Sequence, residues 1–359
     1  MDKPPPAKAV AFSRRLRWGL QRLERKMVPP PLALLDFVND FWGAHIVYAL
    51  AELELVDAFQ SGSRPISDVA SELEINEDLA YRLLRAATNL DVVREEPGRR
   101  FSLTPIGQAL CKRENESFRD FIILMGRLGT RMWSRLADCV RQGRNAVEIE
   151  TGQQPFEFLI GDENIRHVFN RAMTAVSSVA ANALTAAYDF TPYSTIVDVG
   201  GGEGRLLSAI LQAVPNARGL LFDLPEVVKD APNVLQSLGV SSRCETVGGS
   251  FFESVPAGGD LYLMKAIIHD WNDENAQKIL ATVRRAMDRD SPLLLYEAVV
   301  PGPNKKHFAK YLDIEMIVMA GGRERTAEEY TALLDRAGFQ LTRIIPTAGP
   351  ASVIESRAR

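Results

Sequence analysis

Gly200-Gly201-Gly202-Glu203-Gly204 and Asp223 are the residues whose types and spacing point most directly to chemistry. The apolar run Thr195–Val199 reads as a buried strand that empties into these glycines, and Arg205-Leu-Leu-Ser-Ala-Ile-Leu starts a helix at once. Without Cβ atoms, such a turn lets backbone N–H groups approach a ligand at the positive end of the helix. A dinucleotide site of the G-x-G-x-x-G type would need glycine at 205, where this chain has Arg205. Gly219-Leu-Leu-Phe-Asp223-Leu-Pro reads as a second strand ending in a carboxylate, placed to accept from both hydroxyls of a ribose. A glycine turn without pyrophosphate spacing, together with a ribose acid, points to an adenosine ligand lacking a diphosphate. S-adenosylmethionine fits that description.

From about residue 190 onward, predicted strands and helices alternate: strands at 195–199, 219–222, 242–247, 260–265, 292–299 and 340–346, with helices at 205–213, 226–238, 273–287 and 326–337. This alternation predicts a parallel α/β sheet with helices on both faces. Ligands of such sheets bind beyond the carboxyl ends of the strands. The residues at those ends are Gly200–Gly204, Asp223, Gly249-Ser250-Phe251-Phe252, Lys265–Trp271 and Glu297.

The first half is helical in pattern. Leu32–Leu50 is apolar and aromatic on most faces, so as a helix it must be buried, and a second copy of the chain is one way to bury it. Two short capped helices over 65–84 and a Pro97-Gly98 hairpin over 91–103 make a winged-helix pattern. Glu77 and Asp78 open its second helix and would repel a phosphate backbone, which favours a structural or dimerising role over DNA binding. Phe118–Arg141 and Asn164–Tyr188 read as two further helices.

Bulk properties set the limits. At 359 residues the chain suits two domains, and a net charge of −4 argues against nucleic acid as the main partner. Cys111, Cys139 and Cys244 are scattered and odd in number, which fits a reducing cytoplasmic location. No stretch approaches a membrane span or a secretory signal. Residues 1–30 differ from the rest, with eight basic residues against two acids. There Phe12, Leu16, Leu20, Leu23 and Met27 fall on one helical stripe. A membrane-surface or transit role is open for this arm, and packing on a partner subunit is the reading preferred.

Asp198-Val-Gly-Gly-Gly, Phe222-Asp-Leu-Pro, Lys265-Ala-Ile-Ile-His269-Asp270-Trp271, Glu297 and Gly321-Gly-Arg-Glu324-Arg-Thr occur in the order of the motif series of small-molecule O-methyltransferases. The chain resembles the caffeic-acid and acetylserotonin type of that family from about residue 30 to its end. The resemblance implies a class I, Rossmann-like methyltransferase sheet preceded by an all-helical, winged-helix dimerisation domain. It implies a basic arm over 1–30, a dimerisation domain over 31–110, connecting helices contributing to the substrate pocket over 111–188, and a cofactor-binding catalytic domain over 189–359. S-adenosylmethionine is the implied cofactor and a homodimer the implied assembly. Gly200 then lines the methionine end of the cofactor, Asp223 binds its ribose, Ser177 contacts its carboxylate, Ser250 and Phe251 belong to the adenine side, and Lys265 flanks the pocket. Met173 packs on an aromatic, hydroxyl-bearing acceptor, with Asp270 beside it. His269 is the implied general base, flanked and oriented by Glu297 and Glu324. The family usually has aspartate where this chain has Ser250, and a neutral hydroxyl bonds the adenine more weakly. Taken alone, His269 among Ile267, Ile268 and Trp271 is more often structural, and Asp270 with Asp273 would admit a metal, although no metal is expected. As a base it should titrate near 6.5 unless its acids raise it. A non-transferring relative on the same fold, a cofactor-sensing winged-helix regulator and a nicotinamide oxidoreductase are the rival readings.

Overall fold

A computed structural model describes residues 4–112 and 118–359. The chain forms two compact units. One comprises Gly19–Ser134 and Leu159–Val176; the other comprises the residues up to Trp18, Arg135–Phe158 and Ser177–Arg359. None of the described helices is long and apolar enough to cross a membrane.

A helix, α1 (Ala7–Lys26), precedes α2 (Pro30–Glu52), which starts where Pro30 and Pro31 supply the preset φ of a first turn. In the first unit, α3 (Ile66–Glu72) and α4 (Glu77–Ala87) are followed by a hairpin, β2 (Val93–Glu96) with β3 (Arg100–Leu103). Asn76 caps α4 by accepting from Leu79 N–H at 3.0 Å. A two-residue strand, β1 (Arg64–Pro65), pairs with the far side of β3 and completes the wing. The core here is Leu50, Leu55, Phe59, Val69, Leu84 and Phe101. The segment expected as one helix over 118–141 is interrupted. Residues Arg119–Leu124 are α-helical, Met125–Gly129 form a π turn, Thr130–Trp133 are α-helical again, and Leu136–Gln142 resume after a break at 134–135. Gly126 faces the Tyr48 ring so closely that no Cβ fits between them.

The second unit holds a seven-stranded sheet. Its strands are β4 (Thr195–Val199), β5 (Arg218–Asp223), β6 (Cys244–Gly248), β7 (Leu261–Lys265), β8 (Pro292–Glu297), β11 (Phe339–Pro346) and β12 (Ser352–Ala358). They lie in the order β11-β12-β8-β7-β4-β5-β6. The five strands from β8 to β6 are parallel, whereas β12 runs antiparallel to both β8 and β11. The parallel sheet expected from the alternation is present in these five strands, and β12 and β11 extend it into a mixed one. The cause is the C-terminal Ser352–Ala358 segment, which inserts between β8 and β11 after a short turn and without a crossover helix. Two short strands, β9 (Val299–Val300) and β10 (Arg325–Thr326), pair in parallel beside the sheet.

Period-2 alternation within continuous apolar runs buries both faces of the sheet. Ile196, Leu261, Leu263, Leu294 and Tyr296 enter one core with Leu184 and Leu207; Val197, Val199, Tyr262, Met264, Leu293 and Leu295 enter the other with Ile279 and Leu333. Each such buried side chain is worth about 1.5–3 kcal/mol, which anchors the strand ends firmly. From β4 the chain moves outward on one side through β5 to β6, then crosses back to β7 on the other side of β4 and on to β8. The switch point of the sheet thus lies at the carboxyl ends of β4 and β7.

Candidate active site

The glycine turn leaves β4 at this switch point. Gly200, Gly202 and Gly204 have φ of +73°, +61° and +82°, a region that L-residues with side chains rarely enter. A Cβ at Gly200 would also collide with Ile267. At the end of β5, Asp223 accepts from Gly202 N–H at 2.8 Å and from Leu224 N–H at 2.7 Å. One bond goes to each carboxylate oxygen, so further lone pairs remain for a ligand. Burial pushes the Asp223 carboxyl above its ordinary range. Under the turn, Asp198 is buried, and both of its oxygens are without a hydrogen-bond partner among the described residues. Burial raises its carboxyl to about 7, with Lys265 opposing the shift and Asp223 adding to it. An orphaned acid of this kind beside an open glycine cradle is a site that awaits a cationic or donor group.

After β6, Ser250 Oγ accepts from Phe252 N–H at 3.3 Å within a tight turn. Phe251 and Phe252 meet the edge of Trp271 with ring centroids 6.1 and 4.8 Å apart, and Phe156 stacks on Trp271 at 5.2 Å. Phe251 also borders Gly200. Ser177 lies half-buried in the helix Glu163–Ala187. Met173, one turn earlier, falls in the other compact unit and is half-buried there.

Beyond β7 the chain turns sharply. Ala266 takes a φ of +53°, unusual for a residue with a Cβ, while its N–H still reaches Tyr296 O. The next two amides, of Ile267 and Ile268, both donate to Glu297 Oε1, at 3.1 and 2.9 Å. This turn delivers His269 to the carboxyl end of the sheet, with its side chain only 11% exposed. Its Nδ1 lies 2.6 Å from Glu324 Oε1, 3.8 Å from Glu297 Oε2, and its Nε2 lies 3.5 Å from Asp270 Oδ1. Glu324 therefore orients the ring directly, and Glu297 orients the turn that carries it. Burial disfavours the imidazolium, but the charges of Glu297 and Asp270 and the bond to Glu324 outweigh it and raise His269 to about 10. Asp270 is raised to about 6 by burial, against the pull of His269. Lys265 is half-buried at the end of β7. Burial lowers its ammonium from its ordinary value, with Asp198, Glu297 and Asp270 opposing. The condition attached to a value near 6.5 is thus the one that applies, because the acids raise the imidazole.

Sequence reasoning missed the device that holds His269 and Glu324 together. Arg325 is fully buried. It bonds Asp273 Oδ1 through Nε at 3.0 Å and Nη2 at 2.9 Å, and donates to Ile268 O at 3.0 Å and Trp271 O at 2.8 Å. Arg323 N–H donates to His269 O at 2.8 Å, and Gly322 packs so tightly on the His269–Asp270 backbone that a Cβ would collide with it. The available signal was an arginine directly before Thr326-Ala-Glu-Glu329, a capping box in which Thr326 and Glu329 satisfy each other's backbone N–H. Asp198 likewise opens the glycine motif, and its spacing alone assigns it no partner. His269, Glu297 and Glu324 each bring a ligand-type atom within 4.8 Å of the others, the grouping that a metal would use. Nδ1 bonds Glu324 and Glu297 Oε1 accepts from two amides, while the second oxygen of each carboxylate is buried without a hydrogen-bond partner among the described residues.

Comparison with known proteins adds chemistry to this geometry. Residues 133–340 match the family model of an O-methyltransferase domain, and residues 35–113 that of an O-methyltransferase dimerisation domain. A phenazine O-methyltransferase of Lysobacter antibioticus is 38% identical, over 92% of this chain and 97% of its own. An 8-amino-8-demethylriboflavin N,N-dimethyltransferase of Streptomyces davaonensis is 32% identical, over 90% of this chain and 94% of its own. Among solved structures, human N-acetylserotonin methyltransferase in complex with S-adenosylmethionine superposes with a TM-score of 0.85. It is 26% identical, over 92% of this chain and 98% of its own.

Proposed function

This chain belongs to the family of S-adenosylmethionine-dependent O-methyltransferases, and we propose that it methylates a hydroxyl of a small aromatic metabolite, with His269 as general base. The residues present fit the cofactor: an open glycine cradle, an acid at the end of β5 with lone pairs to spare, and the unpartnered Asp198. Asp223 would hold its ribose, Ser250 and Phe251 would border the adenine, Gly200 and Ser177 would lie at the methionine end, and Lys265 would flank the pocket. When bound, S-adenosylmethionine supplies a methyl group already activated on a sulfonium. The chain itself must align an acceptor oxygen and take its proton.

The observation that carries the reading is the 2.6 Å pairing of His269 Nδ1 with Glu324. With Nδ1–H held by Glu324, Nε2 is the nitrogen left to accept a proton. An imidazole raised to about 10 matches a phenol, which also titrates near 10, so moving the proton between them costs little free energy. Met173 and Asp270 are proposed to border the acceptor. The dimerisation domain supports a homodimer built through α2.

An aromatic amine is the second reading, favoured by the relative named as an N,N-dimethyltransferase. Labelled cofactor with a library of phenols and anilines tests both. O-methyl products lost on His269→Ala are expected. N-methyl products that survive His269→Ala would replace the phenol reading, because an amine attacks with its own lone pair.

A further inference from the structure

Helix α1 lies ahead of residue 35, where the match to the family's dimerisation domain begins. Its half-buried residues are Ala7, Val10, Arg14, Trp18, Gln21 and Arg25, spaced three or four apart. Arg14 donates to Ala348 O at 3.1 Å, and the Arg25 guanidinium sits 5.0 Å above the Phe37 ring of α2. Its more apolar stripe is turned outward instead. Phe12, Leu16, Leu20, Leu23 and Met27 are each between 54% and 72% exposed. A helix that turns its most apolar face to water is missing a partner.

Two observations identify that partner. First, the exposed stripe continues into α2, where Leu34, Phe37, Phe41 and Trp42 are also exposed within a domain whose family role is dimerisation. Second, charge is segregated. Residues 1–30 carry eight of the 42 Lys and Arg and two of the 46 Asp and Glu, leaving 34 basic against 44 acidic residues in the rest. A basic arm complements the acidic remainder of another copy, whereas an anionic lipid surface would repel that remainder.

We propose that the Phe12–Met27 stripe of α1 docks on a second copy of this chain and enlarges the dimer interface beyond the dimerisation domain. This inference rests on the homodimer reading above. A dilution series of the full chain by analytical ultracentrifugation tests it, with Leu16→Glu/Leu20→Glu and Phe41→Glu/Trp42→Glu as separate variants. The α1 variant should raise the dimer dissociation constant about tenfold or more, while binding S-adenosylmethionine like the wild type. An unchanged constant in the α1 variant, with dissociation of the α2 variant, would overturn this inference and leave the homodimer standing. A wild type that is monomeric throughout would overturn both. Flotation of the wild type with phosphatidylglycerol vesicles, lost in the α1 variant while its dimer constant is unchanged, would assign the stripe to a lipid surface instead. Should the α1 variant fail to fold, a photo-crosslinking residue at Leu20 in the otherwise native chain must give an adduct of twice the chain mass. Its absence counts against the proposal.

Discussion

His269 and Glu324, 55 residues apart, meet across a 2.6 Å hydrogen bond that is buried from solvent. Neither residue could be held there alone. The imidazole rides on a strained turn pinned by Glu297, and the carboxylate rides on a segment clamped by Arg325. Both attachments bring distant stretches of chain into one buried cluster.

Removing the proposed base should act on turnover and leave cofactor binding alone. His269→Ala is expected to lower kcat with a phenolic acceptor by about 10²–10⁴-fold, with calorimetry showing unaltered S-adenosylmethionine affinity. Near-normal turnover would mean that alignment alone drives transfer.

Activity should rise with pH on the acid side of about 10, because His269 must shed a proton before it can accept one. Glu324→Gln removes an acid that raises the imidazole, so the acid limb of the kcat/KM profile should move to lower pH. A fixed limb would trace the limb to the acceptor's own ionisation. Stability follows the same linkage with the opposite sign. The folded His269 is raised above its unfolded value near 6.5. Its contribution is complete below that value and is lost as pH climbs through about 10. Chemical denaturation from pH 6 to 10 should show less of that decline in His269→Ala.

Asp223→Ala should weaken S-adenosylmethionine binding by roughly 1.5–3 kcal/mol, the usual range for losing a charged acceptor. It also strands Gly202 N–H. Ser250→Asp is expected to tighten binding, read by the same titration. Weaker binding in Ser250→Asp would indicate an adenine side built differently from the rest of the family.

Arg325→Met should destabilise the fold by about 1–3 kcal/mol, since it leaves the Trp271 carbonyl without its donor and takes from Ile268 O and Asp273 one of their two partners. Thermal melts check this. Arg325→Lys keeps the charge but loses the fork. It should retain S-adenosylmethionine binding yet lower kcat, as Glu324 loses its register on His269.

Treatment with EDTA followed by desalting is expected to leave turnover unchanged, because Nδ1 and Glu297 Oε1 are already committed to protein partners. Restoration of lost activity by added zinc or magnesium would reassign the cluster of His269, Glu297 and Glu324 as a metal centre.

What the sequence determined by itself was local or periodic. The glycine turn was legible because positive φ and close backbone approach demand glycine at 200, 202 and 204. Asp223 was legible because it ends an apolar strand. The alternation of strands and helices followed from burial of both sheet faces, and the order of motifs carried the family. Tertiary structure alone decided what depends on distant segments meeting. Ser352–Ala358 became an inserted antiparallel strand only because β8 and β11 left an edge for it between them. The helix over 118–141 took a π turn at Met125–Gly129, where Gly126 lies against the Tyr48 ring, and broke at 134–135. The division of labour between Glu297 and Glu324, and the rise of His269 to about 10, depend on which carboxylates come within a few ångströms of one imidazole. Coulomb energy and desolvation vary with distance and burial, and neither quantity is written in sequence spacing.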